Sequence, residues 1–155
     1  MSSTSNKPNV NTSDKVIATF KIAIIGNSSV GKTSIVRRFI NDNFSASTES
    51  TIGAQFCSKT VDVYPSLNDN TPVKVKLQIW DTAGEEKFRS VAPIYYKNTS
   101  AVAMIYDVTD IDSFRSLQKW YEEVEASYSN EGSEPILYAV VGNKSDMHSQ
   151  QKVSI

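Results

Sequence analysis

A motif of the pattern GxxxxGK[ST] occupies residues 26–33, where the chain reads GNSSVGKT. It follows an isoleucine-rich run at 19–26, typical of a strand covered on both faces, and it precedes residues 34–42, whose apolar stripe indicates a helix. In this context glycines let backbone N–H groups surround phosphate oxygens, and the helix N-terminus adds further donors. A chance match in a chain of this length is on the order of 1%. The motif therefore predicts a phosphate-binding loop made of Gly26, Asn27, Ser28, Ser29, Val30, Gly31, Lys32, Thr33 and the adjacent Ser34.

Two side chains of this loop carry specific chemistry, and a second motif supports them. Lys32 is expected to reach the β- and γ-phosphates, and the Thr33 hydroxyl to bind Mg²⁺. The sequence WDTAG at 80–84 ends an alternating strand, so Asp81 could hold Mg²⁺ through water and the Gly84 N–H could approach a terminal phosphate. A DxxG sequence alone also fits an ordinary turn. When DxxG follows a phosphate loop in the same chain, it indicates nucleotide binding.

A third motif, Asn143-Lys144-Ser145-Asp146, follows another apolar strand, at the end of a sheet where ligands of open α/β folds bind. The Asp146 carboxylate can accept hydrogen bonds from the ring N–H and the exocyclic amine of guanine, whereas adenine offers no matching donors. Asn143 would join this segment to the phosphate loop, and the Lys144 stem would cover a face of the base. NKxD alone is a common loop composition, but after the other two motifs it selects guanine.

The rest of the chain predicts further strands and one further helix. The strands are expected at 55–64, 73–79, 101–108 and 135–143, and the helix at 112–128. The first two strands form a hairpin whose loop is the Pro-, Asn- and Asp-rich segment 65–72, and the last two read as buried. The pattern predicts an α/β fold of the P-loop NTPase type, with a mainly parallel sheet, one antiparallel hairpin strand and flanking helices.

Composition narrows the class further. A length of 155 residues corresponds to one domain, and 16 Lys+Arg against 17 Asp+Glu provide no basic patch for a nucleic-acid polymer. The single cysteine, Cys57, excludes an internal disulfide and fits a reducing compartment. No apolar run approaches the roughly 20 residues that span a bilayer. We therefore expect a soluble, cytoplasmic monomer with a disordered polar tail at 1–14 and one domain at 15–155.

Together the three motifs resemble those of the small Ras-like GTPases. Neighbouring segments are similar to the Rab family, and most similar to its early-endosomal branch. The segments that carry the resemblance are TIGAQF at 51–56, KLQIWDTAG at 76–84, EKFRSVAPIYYK at 86–97 and DVTDIDSF at 107–114. The resemblance implies a molecular switch that binds GTP and GDP with Mg²⁺, hydrolyses GTP and regulates vesicle and endosomal traffic.

The resemblance also implies roles for individual residues. Mg²⁺ would be held by Thr33, Thr51 and Asp81, with Thr51 also contacting the γ-phosphate, and Phe44 would pack edge-on against guanine. Residues 45–57 and 82–97 would be the two switches, where exchange factors, GTPase-activating proteins and effectors bind. Catalysis would involve Lys32, Gly84 and Glu85. Effectors would contact Phe56, Trp80 and Tyr95, although these three aromatic residues also fit a purely structural role in the core.

Glu85 departs from the family pattern, which has glutamine at this position. Glutamine orients the attacking water with an amide that both donates and accepts, whereas an ionised carboxylate only accepts and repels the γ-phosphate. We therefore expect slow intrinsic hydrolysis. The alternative is a protonated Glu85 that can donate.

The family also continues beyond NKxD with another helix, a sixth strand, closing helices and a lipidated tail. The resemblance therefore implies an incomplete domain with no membrane anchor in this chain. It would act at the cytosolic face of endosomal or vesicle membranes if the complete protein carries such a tail. Three alternatives to a cycling GTPase stay open. Glu85 favours a GTP-bound module that recruits effectors with little turnover, and the missing segment favours a truncated fragment without function. The third is a P-loop kinase or ATPase, against which the NKSD motif argues.

Overall fold

The computed structural model describes residues 16–45, 49–65, 71–84, 92–128 and 135–154. The expected tail at 1–14, most of the hairpin loop at 65–72 and Glu85 lie outside the described residues, as do parts of both proposed switches. The described residues form one five-stranded sheet of order β2-β3-β1-β4-β5. Its strands are β1 (Val16–Ile25), β2 (Ala54–Val63), β3 (Val73–Thr82), β4 (Ala101–Asp107) and β5 (Leu137–Asn143).

Strand direction confirms the predicted α/β class. β1 runs parallel to both β3 and β4, and β4 runs parallel to β5, whereas β2 pairs antiparallel with β3 from Ala54 opposite Thr82 to Val63 opposite Val73. The carboxyl ends of β1, β3, β4 and β5 therefore lie at one edge of the sheet. Because each of the three motifs follows or ends one of these strands, this register brings them together.

The helices are α1 (Lys32–Asn41), α2 (Ala92–Tyr96), α3 (Ile111–Arg115) and α4 (Leu117–Tyr128), followed by a 3-10 turn at His148–Gln150. The helix predicted at 112–128 is therefore divided at Ser116. Its hydroxyl donates to the Asp112 carbonyl at 2.7 Å, and its backbone N–H donates to the same carbonyl at 3.0 Å. Such a local side-chain bond bends a helix. α2 is too short to have left a periodic signal in the sequence. None of the described helices is both long and apolar enough to cross a membrane.

Two cores cover the two faces of the sheet. Between the sheet and α1 lie Ile24, Val30, Val36, Ile79 and Ile105. Between the sheet and α4, α2 and the C-terminal segment lie Ala23, Ile25, Tyr96, Val102, Met104, Tyr106, Val108, Leu117, Trp120, Val124 and Val153. The apolar residues of the two helices predicted at 34–42 and 112–128 are only partly buried. Val36, Leu117 and Val124 are in the cores, whereas Phe39, Phe114 and Tyr121 are exposed.

Two strands are less buried than their apolar sequences predict. In β1 only Ala23, Ile24 and Ile25, at its carboxyl end, are buried, and Val16, Ile17 and Phe20 are exposed. In β5 the prediction of a buried strand is wrong: Leu137 is 70% exposed and Val140 is 56% exposed. β5 lies at the edge of the sheet, and among the described residues no further strand pairs with its outer side. An apolar run cannot by itself distinguish a central strand from an edge strand.

Burial in β1 leads to a stability prediction. Ile25→Ala should lower the free energy of unfolding by about 2–5 kcal/mol, because the removed side chain is fully buried against α4 and leaves a cavity. Ile17→Ala is the matched control: the same residue type in the same strand is exposed, and its loss should change stability by less than about 0.5 kcal/mol. Urea unfolding measures both values. Equal losses would contradict the burial described here.

Candidate functional site

The loop after β1 curves tightly because two glycines take backbone angles that other residues avoid. Gly26 has φ of +138° and Gly31 has φ of +97°. A Cβ on Gly26 would overlap the Ile105 carbonyl, and a Cβ on Gly31 would overlap the Asn143 amide. Glycine is therefore favoured at both positions by the backbone angle, and at Gly26 it is also required by space, because the overlapping atoms belong to the backbone. Between them, Ser28 and Ser29 are exposed, and Val30 is buried in the α1 core.

Lys32 lies at the start of α1 with its side chain buried. Its ammonium group donates to the Gly26 carbonyl at 2.8 Å and to the Asn27 carbonyl at 2.7 Å. Burial lowers the pKa of Lys32 to about 8, and the nearby charge of Asp81 acts in the opposite direction. A desolvated cation that is held by carbonyl oxygens would gain from an anion placed beside it. This corner of the site is therefore suited to phosphate.

Oxygen atoms from three elements meet next to Lys32. The Thr33 and Thr51 hydroxyls lie 2.8 Å apart, which brings the segment before β2 to the start of α1. Asp81, at the end of β3, is 1% exposed, and within the described part of the chain its Oδ1 atom has no hydrogen-bond partner. Burial raises the pKa of Asp81, while a hydrogen bond from Thr33 and the charges of Lys32 and Arg37 lower it. Two hydroxyls and a carboxylate with an unpaired oxygen fit a hard divalent cation such as Mg²⁺.

Gly84 packs directly on the phosphate loop. A Cβ at this position would overlap the Asn27 carbonyl group and the Ser28 nitrogen. The sequence WDTAG therefore continues from the end of β3 to the loop without space for a side chain, which is the physical reason for glycine there.

The NKSD segment lies on the other side of the loop. The Asn143 amide donates to the Val30 carbonyl at 2.7 Å, so the expected connection between this motif and the phosphate loop is present. Lys144 has a positive φ of 62°, and its ammonium group lies 2.5 Å from a carboxylate oxygen of Asp107. Asp146 is exposed.

Asp107 is a site residue that the motifs did not predict. It ends β4 beside Asn143, and its Oδ1 accepts from the Thr109 N–H at 2.8 Å and from the Thr109 hydroxyl at 2.7 Å. Burial raises the pKa of Asp107, but the bonds from Lys144 and Thr109 outweigh it and hold the pKa below its usual value. The available signal was its position: it is the acid that ends an otherwise apolar strand.

A cavity of about 790 Å³ joins these groups. Of the predicted site residues, the cavity is lined by Ser28, Ser29, Gly31, Lys32, Thr33, Ser34, Phe44, Thr51, Gly84, Asn143, Lys144 and Asp146. Four others lie beside it without lining it: Gly26, Asn27, Val30 and Asp81. The Asn27 side chain points toward α4, and Asp81 with Thr33 borders a separate cavity of about 330 Å³ between α1 and β2.

The three predicted effector-binding aromatics form one cluster outside this cavity. The Phe56 and Trp80 ring centroids lie 5.3 Å apart, and those of Trp80 and Tyr95 lie 5.6 Å apart. Phe56 is exposed, and the other two are half-buried. The Lys21 ammonium group lies 5.2 Å from the centroid of the Trp80 ring. An accessible aromatic cluster with a cation at its border is unlike a buried core.

The strand order, the glycine-bounded loop and the edge where the motifs meet define a P-loop α/β fold. Comparison with known proteins gives the family: residues 21–155 match the Ras family. The chain belongs to the Ras family.

Relatives within this family are Rab-type proteins, as the sequence resemblance predicted. The GTP-binding protein YPT52 of Saccharomyces cerevisiae is 41% identical over 129 residues, covering 83% of this chain and 54% of the relative. Human Ras-related protein Rab-30 is 44% identical over 135 residues, covering 87% of this chain and 61% of the relative. Rat Ras-related protein Rab-31 is 40% identical over 139 residues, covering 90% of this chain and 66% of the relative. The chain thus spans about half to two thirds of the length of these relatives.

The Asp107 contacts generate a prediction that depends on pH. Asp107→Asn should lower the free energy of unfolding at pH 7 by about 1–3 kcal/mol, the size of a hydrogen bond to a charged group. Since folding lowers the pKa of Asp107, its stabilisation is present above the unfolded value of about 3.9 and is lost as the pH falls through the folded value. The difference between wild type and variant should therefore stay constant down to about pH 5 and shrink below about pH 4.

Urea unfolding at a series of pH values measures this difference. Asp112→Asn is the control, because Asp112 pairs with Arg115 in an exposed bridge that should contribute less than about 1 kcal/mol. A difference for Asp107→Asn that persists unchanged at pH 3 would contradict the assignment.

Proposed function

We propose that this chain is a guanine-nucleotide-binding switch that hydrolyses GTP to GDP and regulates vesicle and endosomal membrane traffic. The observation that carries the proposal is that one cavity is lined by the phosphate loop, Thr51, Gly84 and the NKSD segment. Membership of the Ras family and the name of the yeast relative, a GTP-binding protein, support the same ligand.

At the phosphate end, Lys32 and the loop amides would bind the β- and γ-phosphates. Two carbonyls already hold the buried ammonium group in place, so the Lys32 side chain does not have to rearrange when an anion binds. Thr33, Thr51 and, through water, Asp81 would hold Mg²⁺. The bound ion would neutralise charge on the phosphate oxygens.

At the base end, Asp146 would accept hydrogen bonds from guanine, and Phe44 would pack edge-on against the ring. Asn143 bonds to the Val30 carbonyl and so keeps this segment at a constant distance from the phosphate loop. Lys144 would cover the base, with its ammonium group neutralised by Asp107. An acceptor of this kind rejects adenine, because the Asp146 carboxylate would stay unpaired.

Hydrolysis would proceed by in-line attack of water on the γ-phosphorus, breaking its bond to the β–γ bridging oxygen. Lys32 and the loop amides would stabilise the charge that develops, and the Gly84 N–H would approach the γ-phosphate. Glu85 would stand beside the water in place of glutamine and make this step slow. A second candidate function follows from that residue: a GTP-bound module that recruits effectors with little turnover.

Partners would bind at the switches. Phe56, Trp80 and Tyr95 would form the effector surface, since accessible aromatic rings provide large contact area at little entropic cost. An exchange factor and a GTPase-activating protein would act on the neighbouring segments. The cytosolic face of an endosomal or vesicle membrane is the proposed location, with the chain itself a monomer.

Nucleotide binding tests the proposal directly. The chain should bind GTP and GDP with one nucleotide per chain and Mg²⁺ dependence, and ATP should compete poorly. Lys32→Ala should weaken GTP binding by about 10- to 100-fold through loss of charge-assisted bonds, and Asp146→Asn should reduce the preference for GTP over ATP by at least about 10-fold. Lys119→Ala, a change at an exposed position of α4, is the control. Equal affinity for ATP and GTP, measured by calorimetry, would refute a guanine site.

Single-turnover hydrolysis distinguishes the two candidate functions. Glu85→Gln should accelerate hydrolysis on the order of ten-fold, because the amide can donate to and accept from the attacking water without adding charge. The neighbouring Glu86→Gln is the matched control and should leave the rate unchanged. Equal rates for wild type and Glu85→Gln would remove the reason to expect slow turnover.

A further inference from the structure

One residue of the phosphate loop directs its side chain away from the cavity. The side-chain oxygen Oδ1 of Asn27 accepts a hydrogen bond from the Trp120 indole N–H at 2.9 Å, and the side-chain amide nitrogen of Asn27 donates to the Ser116 hydroxyl at 3.1 Å. Trp120 is 2% exposed and belongs to α4, whereas Ser116 lies at the break between α3 and α4. Both partners are far from Asn27 in sequence. The loop is therefore joined to the helices of the opposite core by a polar side chain.

The chemistry of the partners determines the direction of each bond. The indole nitrogen can only donate, so Oδ1 must face Trp120 and the amide nitrogen must face Ser116. Ser116 can accept this bond because its own hydroxyl proton is used toward the Asp112 carbonyl, at 2.7 Å. The chain of bonds from Trp120 through Asn27 and Ser116 to Asp112 is thus consistent in every donor and acceptor. The same bond to Asp112 accompanies the division of the predicted helix.

The backbone of Asn27 takes part in the phosphate site itself. Its carbonyl accepts from the Lys32 ammonium group at 2.7 Å. The peptide between Asn27 and Ser28 is also the surface on which Gly84 packs. One peptide group therefore contacts both the phosphate-binding cation and the glycine proposed to approach the γ-phosphate. The side chain of the same residue bonds to Trp120 of α4.

We propose that Asn27 is a positioning residue that connects the α3–α4 break to the phosphate loop and thereby slows the release of bound nucleotide. This inference rests on the proposed guanine-nucleotide site. The two side-chain bonds, here called the Asn27 tether, keep the Asn27 carbonyl against Lys32 and the adjacent peptide against Gly84. Without them, the peptide can rotate and Lys32 loses one of its two carbonyl partners. Displacement of α3 or α4 would accordingly alter nucleotide retention.

A role in packing alone would not require this arrangement. Packing requires one acceptor for the buried Trp120 indole N–H, which Oδ1 of Asn27 supplies, but it does not require the second bond from the Asn27 amide nitrogen to Ser116. The tether instead specifies one orientation of one peptide group.

The dissociation rate of a fluorescent GDP analogue, chased by excess unlabelled GDP in Mg²⁺, tests the proposal on the 155-residue chain. Trp120→Phe removes the indole donor but keeps an aromatic ring, and it should release the analogue about five-fold faster. Asn27→Ala removes both bonds and should release it about 30-fold faster. The double variant should match Asn27→Ala, because both changes act through the same bond.

Matched controls separate the tether from general effects on α4. The Ser127 hydroxyl donates to the carbonyl four residues earlier, as the Ser116 hydroxyl does, but it lies away from the loop. Ser116→Ala should accelerate release and Ser127→Ala should not. Tyr121→Phe changes the exposed residue beside Trp120 and should also leave the rate unchanged. Midpoints of thermal unfolding, measured with and without GDP, report any loss of stability independently of the release rate.

The outcomes distinguish this inference from the proposed function. Faster release by Asn27→Ala, Trp120→Phe and Ser116→Ala, with controls at the wild-type rate, supports the tether. Rates within about two-fold of wild type, with nucleotide still bound, overturn the tether and leave the proposed function intact. Additive effects in the double variant, or midpoints that fall without any change in release, assign these residues a structural role and also overturn it. A wild-type chain that binds no guanine nucleotide refutes the proposed function, and the tether with it.

Discussion

The site depends on one buried cation. The Lys32 ammonium group is removed from water and is held by the carbonyls of Gly26 and Asn27, which only partly replace its hydration. The tight curve of the loop, with positive φ at both of its glycines, is what turns those carbonyls toward the amine. The nearby charge of Asp81 lowers the cost of burying this cation, and among the described residues one oxygen of the Asp81 carboxylate has no hydrogen-bond partner. An anionic phosphate with a divalent cation would complete both groups together.

The parallel register of the strands brings residues from distant segments of the chain into one site. β1, β3, β4 and β5 end at the same edge, so Gly26, Asp81, Asp107 and Asn143 become neighbours without any long loop to guide them. Side-chain bonds then adjust the distances between segments. Asn143 donates to the Val30 carbonyl, and Thr51 meets Thr33, so two loops that the sheet only brings near each other are brought into contact.

The parts of the fold and site that the sequence predicts are those governed by local rules. The phosphate loop, the DxxG and NKxD segments and the five strands follow from spacing, glycine requirements and apolar runs. The exposure of Leu137 could not be predicted, because an apolar run does not reveal its place in the sheet. Asp107 and Lys144 lie far apart in the chain, so their pairing depends on the register of β4 and β5. The contact of Asn27 with Trp120 likewise depends on where α4 packs.

The phosphate loop also connects the two cores of the domain. Val30 is buried on the α1 side of the sheet, whereas the Asn27 side chain bonds to Trp120 and Ser116 on the α4 side. The residues between these anchors, Ser28 and Ser29, are exposed and face the cavity. A loop anchored at both ends in this way has little freedom of its own, because moving it requires a shift in one of two well-packed layers. Its amides are consequently ordered before a ligand arrives, and the ordering free energy is supplied by folding rather than by binding. The same anchoring makes the affinity of the site sensitive to any partner that displaces α3 or α4.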